Sequence, residues 1–70
     1  MIGDNIKFYR KKNQLTQDDI AEACNVTRQA VSKWENGKTQ PDIQTLSMLA
    51  STLEVSEEDL IYGPSDSEKK

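Results

Sequence analysis

The spacing of apolar residues along the chain predicts helices throughout. Apolar residues recur three and four positions apart, and no segment shows the strict alternation of apolar and polar residues that marks a half-buried strand. The first predicted helix covers Ile2 to Lys12, because Ile2, Ile6 and Tyr9 share one face and the basic last turn suits the helix dipole. The pattern therefore predicts a small all-α domain.

Two further helices are predicted on either side of Asn25. Thr16 is a suitable N-cap, and Asp19 three residues later completes an approximate capping box, so the second helix begins after Thr16. It stops near Asn25, because asparagine tolerates the left-handed backbone that a tight turn needs. The third helix has Thr27 as its cap and runs to about Asn36, where a glycine supplies the stop.

The last two helices are predicted in the C-terminal half. Asp42 caps the fourth helix, and Ser56, with an aspartate three residues later, opens a short fifth helix that a Gly-Pro pair ends. The remaining residues are polar, so we expect one domain over residues 1–62 and a flexible tail over 63–70. The continuous apolar stripe expected on the fourth helix comprises Ile43, Leu46, Leu49, Ala50 and Leu53.

The predicted third helix divides into an apolar side and a polar side. Such a helix suits docking on a scaffold while it presents hydrogen-bonding groups outward, as a DNA-recognition helix does. Together with the second helix and the tight turn it predicts a helix-turn-helix, in which the small Ala21 permits close approach of the two helices. The apolar side comprises Ala30, Val31 and Trp34, and the polar side comprises Arg28, Gln29, Ser32 and Lys33.

The polar side of the third helix matches the chemistry of base edges. The guanidinium fork of Arg28 fits the O6/N7 edge of guanine, and the amide of Gln29 fits the N6/N7 edge of adenine. Thr27 offers either a methyl contact or a phosphate bond. Ser32 and Lys33 complete the expected base-contacting set.

Phosphate contacts are expected on both sides of this helix. Gln17 is the first residue of the second helix, where free backbone N–H groups and the positive end of the helix dipole attract an anion. Asn36, Gly37 and Lys38 follow the third helix and are placed to hold the DNA backbone on the other side.

Three residues have two interpretations each. Arg10 either touches phosphate or pairs with Glu35, which would tie the first helix to the third. Cys24 is a redox sensor or a buried small hydrophobe, and its place on the apolar stripe of the second helix favours burial. Trp34 stacks on a base or packs in the core, and the periodicity favours the core.

Length and composition restrict the available chemistry. A chain of 70 residues is near the lower limit for a domain that folds without a disulfide or a metal. The single cysteine rules out an internal disulfide, and the absence of histidine removes the usual zinc and general-base constellations. We therefore expect no metal, no cofactor, no small-molecule ligand and no enzymatic activity. Because the chain has neither a membrane-length apolar run nor a signal-peptide pattern, we expect a soluble cytoplasmic protein.

The net charge of the chain argues against a nucleic-acid partner, whereas the distribution of charge along the chain favours one. The formal net charge is −3, whereas nucleic-acid-binding modules are usually basic. Residues 1–40, however, carry seven Lys or Arg against five Asp or Glu, and residues 41–70 carry two against seven. This dipolar layout fits an N-terminal half that faces DNA and a C-terminal half turned away from phosphate, although an ordinary solvated surface with chance asymmetry would also produce it.

The chain resembles the Cro/phage-repressor (Xre) helix-turn-helix family over about 60 residues. The resemblance implies a compact five-helix repressor-like domain with the helix-turn-helix formed by helices 2 and 3. It also implies sequence-specific binding of double-stranded DNA, usually by a homodimer on a palindromic operator, and regulation of transcription, most often as a repressor. The matching segments are Ile2-Gly3-Asp4-Asn5-Ile6, Leu15-Thr16-Gln17, Val26-Thr27-Arg28-Gln29, Ser32-Lys33-Trp34-Glu35-Asn36-Gly37, Val55-Ser56 and Leu60-Ile61-Tyr62-Gly63.

By this resemblance Gln17 and the loop at Asn36 take the phosphate role, and the Arg10–Glu35 ion pair is favoured over a phosphate contact by Arg10. The chain departs from the family pattern at four positions, none of which lies on the expected DNA-facing side. Asn25 and Gln14 stand where glycine is usual, and Cys24 and Tyr9 stand where leucine is common.

Two alternatives concern the C-terminal half. Leu60, Ile61 and Tyr62 either cap the core beneath the first helix or form a self-complementary dimer patch. The alternative function is a protein-interaction or antitoxin-like module that binds a partner through the acidic C-terminal half. It is distinguished by whether Arg28, Gln29 and Lys33 form a positive patch or are neutralised by nearby acids.

Overall fold

Five helices and short connections account for the part of the chain that the structure describes. The computed structural model describes residues 2–63, so Met1 and most of the predicted tail, residues 64–70, lie outside the described residues. All five predicted helices are present, and residues 2–63 contain no strand. The helices are α1 (Ile2–Lys12), α2 (Gln17–Cys24), α3 (Arg28–Glu35), α4 (Ile43–Leu53) and α5 (Glu57–Tyr62).

Local side-chain chemistry starts four of these helices. Thr16 and Ser56 each form a complete capping box, in which the hydroxyl accepts from the backbone N–H three residues later and the aspartate there accepts from the cap N–H. Thr27 caps α3, and Asp42 caps α4 by accepting a 2.8 Å hydrogen bond from the Thr45 N–H. These caps satisfy N–H groups that have no partner inside the helix, which fixes where each helix begins.

Three non-glycine residues end helices or turns in the left-handed conformation. Asn25 has φ 59° and Gln14 has φ 60°, at the two positions where the family resemblance implies glycine. Glu54, after α4, has φ 61° and was not foreseen from the sequence. Since a side chain other than asparagine or aspartate adopts this conformation at a cost, the turns after α1 and α4 carry local strain.

The core lies where the inner faces of all five helices meet. Cys24 and Trp34 are both buried, at 2% and 5% exposure, so the core interpretation of each is confirmed. The expected stripe of α4 is wrong at its first residue, because Ile43 is 83% exposed. Leu46 is only half-buried and Leu49 is fully buried, so α4 enters the core along its C-terminal half while its N-terminal end projects past it.

Two features that the sequence did not reveal hold α1 in place. A Cβ atom on Gly3 would lie 2.1 Å from the backbone oxygen of Trp34, so only glycine permits α1 to approach the end of α3 this closely. The buried Asn5 side chain donates a 2.7 Å hydrogen bond to the carbonyl of Leu60 and so links α1 to α5. The start of α1 is therefore fixed against both α3 and α5.

Candidate nucleic-acid interface

The α2–α3 unit has the geometry of a helix-turn-helix. The two helices pack against each other and are joined by residues 25–27. In the turn the N–H of Val26 donates to the carbonyl of Ala21 at 2.9 Å, and Asn25 supplies the left-handed residue. Ala21 itself is buried, at 6% exposure, as the close approach of two helices requires.

The two faces of α3 differ sharply in exposure. Val31 and Trp34 are buried in the core, whereas Arg28, Gln29 and Lys33 are exposed. The predicted division of this helix is therefore confirmed at these five residues, whereas Ala30 and Ser32 are half-buried. Its anchored side fixes the helix on the scaffold, and its opposite side presents one guanidinium, one amide and one ammonium group to solvent.

A shallow hollow of about 220 Å³ brings base-contact and phosphate-contact candidates together. Asn36 also donates a 3.4 Å hydrogen bond to the hydroxyl of Ser32, which is half-buried. The hollow thus connects the outer face of α3 to the loop that follows it. Its lining comprises Gln29, Ser32, Lys33, Asn36 and Lys38.

Backbone hydrogen bonds hold the loop after α3 close to the helix end. The N–H of Gly37 donates to the carbonyl of Trp34 at 3.1 Å, and the N–H of Lys38 donates to the carbonyl of Lys33 at 2.9 Å. Gly37 has φ +78°, a conformation that glycine adopts without strain. Asn36, Gly37 and Lys38 are all exposed, so the predicted phosphate-contacting loop lies at the surface beside α3.

Thr27 is the N-cap of α3. Its hydroxyl oxygen accepts a 3.2 Å hydrogen bond from the N–H of Ala30. The methyl group and the hydroxyl proton are not used by that bond, and the residue is exposed. Both predicted uses of Thr27, a methyl contact and a phosphate bond, therefore stay compatible with its role as a cap.

Glu35 is the centre of a buried polar network that joins α1, α2 and α3. The Nε of Arg10 lies 2.6 Å from Glu35 Oε2, and its Nη2 donates to Glu35 Oε1 at 3.1 Å. The remaining Nη1 donates to the carbonyl of Leu15 at 3.0 Å, and the Arg10 side chain is 11% exposed. The predicted ion pair is therefore present, and the Arg10 guanidinium is engaged inside the protein by Glu35 and Leu15.

Gln17 belongs to the same network, which sequence reasoning missed. Its Nε2 donates a 3.0 Å hydrogen bond to Glu35 Oε1, and the residue is half-buried at the first position of α2. A carboxylate only accepts, so Glu35 fixes which end of the Gln17 amide faces inward. One N–H of that amide group stays outside this bond, and a phosphate contact by Gln17 stays a prediction.

An acidic residue accompanies the first cation of α3. Asp18 Oδ1 lies 3.4 Å from Arg28 Nε, and the two side chains are 78% and 60% exposed. Within residues 2–63 this is the one ion pair formed by the predicted base-contacting residues. The outer face is therefore neutralised at Arg28 and positive at Lys33 and Lys38.

The predicted dimer patch must be corrected at Leu60. This residue is fully buried in the core, at 0% exposure, and its carbonyl is held by Asn5. Ile61 and Tyr62 are exposed, at 45% and 69%. The first alternative therefore holds for Leu60, which packs inside, and the patch is reduced to its two neighbours.

Residues 2–63 give no support for a reactive thiol or a metal site. Burial raises the pKa of the Cys24 thiol, which disfavours the reactive thiolate. In the described range 2–63 no three His, Cys, Asp or Glu side chains are grouped as a metal ion would need. No helix within those residues has both the length and the apolar character to cross a membrane.

Two curated relatives of this chain are named as transcriptional regulators. An uncharacterised HTH-type transcriptional regulator of Bacillus subtilis, YqaE, is 36% identical over 66 residues, which is 94% of this chain and 57% of the relative. A prophage-derived regulator of the same organism, YonR, is 36% identical over 63 residues, 90% of this chain and 58% of the relative. The chain thus spans less than two thirds of the length of these relatives.

A solved repressor structure has the same fold. The P22 c2 repressor, determined in complex with a synthetic operator, matches with a TM-score of 0.85 and 30% identity, over 91% of this chain and 97% of that one. A helix-turn-helix family model matches residues 6–60, which contain all of α2, α3 and α4. On these grounds the chain belongs to the helix-turn-helix family of the Cro/phage-repressor type.

Proposed function

We propose that this chain is a sequence-specific DNA-binding transcriptional regulator, acting as a repressor, which inserts α3 into the major groove. The observation that carries the proposal is the division of α3, whose apolar side is buried while Arg28, Gln29 and Lys33 are exposed on the other side. The likeness to a repressor determined with its operator supports the same function. Such a protein acts on chromosomal DNA, and hence in the cytoplasm.

The contacts follow from the chemistry of each exposed group. Arg28 hydrogen-bonds a guanine and Gln29 an adenine, each contact contributing about 1–3 kcal/mol of discrimination against the wrong base. Thr27, Ser32 and Lys33 add further contacts in the groove. Two groups of residues position the DNA backbone, namely Gln17 at the start of α2 and the loop formed by Asn36, Gly37 and Lys38.

The DNA-bound form is proposed to be a homodimer on a palindromic operator. Ile61 and Tyr62, exposed side by side at the end of α5, supply the apolar part of the contact between copies. A two-fold symmetric dimer would place its two copies of α3 about 34–36 Å apart, one turn of DNA. A palindrome among selected sequences would report this geometry directly.

The experiment that tests the function is selection from a randomised duplex pool, followed by anisotropy titrations at two salt concentrations. We expect an enriched palindromic motif and an affinity that falls as salt rises, because phosphate contacts release counterions. The absence of any enriched motif, together with salt-independent binding, would contradict the proposal and favour the protein-interaction alternative.

Variants separate base contacts from phosphate contacts. Arg28→Ala and Gln29→Ala should each relax preference at one base position, whereas Gln17→Ala should weaken all sequences about equally. Lys38→Ala should reduce the slope of log affinity against log salt by about 1. Lys12→Ala is the matched control, since this lysine lies beside Tyr9 and Leu53, on the α4 side of the domain. An equal change of slope in both lysine variants would argue against a specific role for the loop.

A further inference from the structure

Asp18 lies in the first turn of α2, where its charge suits the helix dipole, but it takes no part in the capping box. The capping box of α2 is completed by Asp19, whose carboxylate accepts from the Thr16 N–H at 2.8 Å. Asp18 instead extends from the first turn of α2 towards the start of α3 and lies 3.4 Å from the Nε of Arg28. Exposed ion pairs contribute little to stability, so the fold alone does not account for this arrangement.

The side of the guanidinium that Asp18 approaches is informative. A guanidinium group carries five N–H donors in a rigid plane, and its Nη1/Nη2 edge and its Nε edge each offer a pair of them. Asp18 lies against the Nε edge of Arg28. Within residues 2–63 the ion pair with Asp18 is the one ion pair or hydrogen bond formed by the Arg28 side chain, so the Nη1/Nη2 edge stays free.

We propose that Asp18 is a specificity-determining residue, which orients Arg28 so that its free Nη1/Nη2 edge meets guanine. This inference rests on the DNA-binding function proposed above. The ion pair on the Nε side restricts the rotation of the Arg28 guanidinium. Less entropy is therefore lost when this group forms two parallel hydrogen bonds to O6 and N7 of guanine. The other bases do not offer that pair of acceptors at the same position.

The charge of Asp18 sharpens the same discrimination. Its carboxylate offsets the positive charge of Arg28 and repels phosphate, which lowers the affinity for every DNA sequence. Affinity is recovered only where the base edge supplies well-placed hydrogen bonds. Removing Asp18 should therefore have opposite effects on two measurable quantities, raising affinity for unrelated DNA and lowering preference for guanine.

Asp18→Ala and Glu22→Ala form a matched pair for the test. Both remove one negative charge from an exposed position of α2, and only Asp18 faces Arg28. Affinity is measured by anisotropy for the selected operator, for the operator with the Arg28-dependent guanine replaced, and for an unrelated duplex. Arg28→Ala identifies that guanine.

Both variants should bind the unrelated duplex about twofold more tightly, as the loss of one exposed, screened charge predicts. Only Asp18→Ala should lower the guanine preference, by roughly threefold to tenfold, which is part of what one bidentate contact provides. In the Arg28→Ala background, Asp18→Ala should not change the preference further.

Equal guanine preference in Asp18→Ala and Glu22→Ala overturns the inference while leaving the proposed function intact. A raised preference in Asp18→Ala also overturns it, since Asp18 would then compete with the base for Arg28. Failure of the wild-type chain to select any sequence overturns the proposed function and this inference together.

Discussion

The two faces of α3 differ in how completely their polar groups are satisfied inside the protein. On the inner face the Glu35 carboxylate, in a side chain that is 3% exposed, accepts from both Arg10 and Gln17. On the outer face Arg28 has a single ion pair at 3.4 Å, and it is 60% exposed. The polar groups on one side of α3 thus have their hydrogen-bond partners inside the protein, whereas those on the other side are largely available to a partner molecule.

This difference teaches which residues the fold fixes and which it leaves for a partner. Breaking a buried, hydrogen-bonded ion pair typically costs about 3–5 kcal/mol, whereas an exposed pair contributes about 0–1 kcal/mol. The inner residues therefore set the position of α3. The outer residues contribute little to folding, and their hydrogen-bonding capacity is available to DNA.

The largest expected effect comes from breaking the inner network at Arg10. Arg10→Ala leaves the Glu35 carboxylate buried without its cation, so the free energy of unfolding should fall by about 3–5 kcal/mol. Native proteins are stable by about 5–15 kcal/mol, and a chain this short lies at the lower end of that range, so this variant should be close to unfolding at room temperature. Urea denaturation followed by circular dichroism measures the loss.

A double variant controls for the loss of the arginine side chain. Arg10→Met combined with Glu35→Leu removes both charges and keeps apolar volume, so it should recover part of the stability that Arg10→Ala loses. The hydrogen bonds to Leu15 and from Gln17 stay lost in this double variant. If Arg10→Ala lowers the free energy of unfolding by less than about 1 kcal/mol, the Arg10–Glu35 pair contributes no more than an exposed ion pair does. The two faces of α3 would then not differ as argued above.

The next effect tests how closely the inner face is packed. Gly3→Ala places a methyl group where the Trp34 carbonyl already lies, 2.1 Å away, and the backbone must shift. Overpacking of this kind typically costs about 1–3 kcal/mol, which urea denaturation resolves. Lys7→Ala introduces the same residue at an exposed position of α1 and should change stability by at most about 0.5 kcal/mol. Equal stability of the two variants would show that the close approach is not needed.

Features governed by neighbours in sequence were predictable, and those made by distant residues were not. The capping boxes at Thr16 and Ser56 depend on residues three positions apart, and the burial of Trp34 follows from helical periodicity. The bond from Gln17 to Glu35 joins residues 18 apart, and the bond from Asn5 to Leu60 joins residues 55 apart. No local pattern records such pairings, which arise only when helices pack.

Two incorrect expectations have the same kind of cause. Periodicity reports which side of α4 is apolar, but it does not report where the helix leaves the core, and Ile43 lies beyond that point. The six residues of α5 are too few for periodicity to separate Leu60 from Ile61 and Tyr62. The polar side of α3 was identified from the sequence, whereas the pairing of Arg28 with Asp18 required the structure.

A smaller effect is expected on the outer face. Arg28→Ala and Gln29→Ala should leave the free energy of unfolding within about 0.5 kcal/mol of the wild type, because exposed residues outside caps and networks contribute little. The same two variants should each lose preference at one base. Thermal denaturation without DNA measures the first effect. A large drop in stability for either variant would mean that the outer face also supports the fold.

The smallest effect concerns Asp42, which is exposed like the outer face yet serves the fold like the inner one. Hydrogen bonds from the side chain and the backbone N–H of Thr45 hold the pKa of this carboxyl below its ordinary value of 3.8. A folded-state pKa below the unfolded one contributes stability that is present above about pH 4 and is lost as the pH falls through the folded pKa. Asp42→Asn keeps a neutral cap, so it should be slightly less stable than the wild type at pH 7 and equal to it in strong acid. Urea denaturation across pH 2–7 measures this convergence, and a constant difference over that range would show that the cap does not depend on the charge.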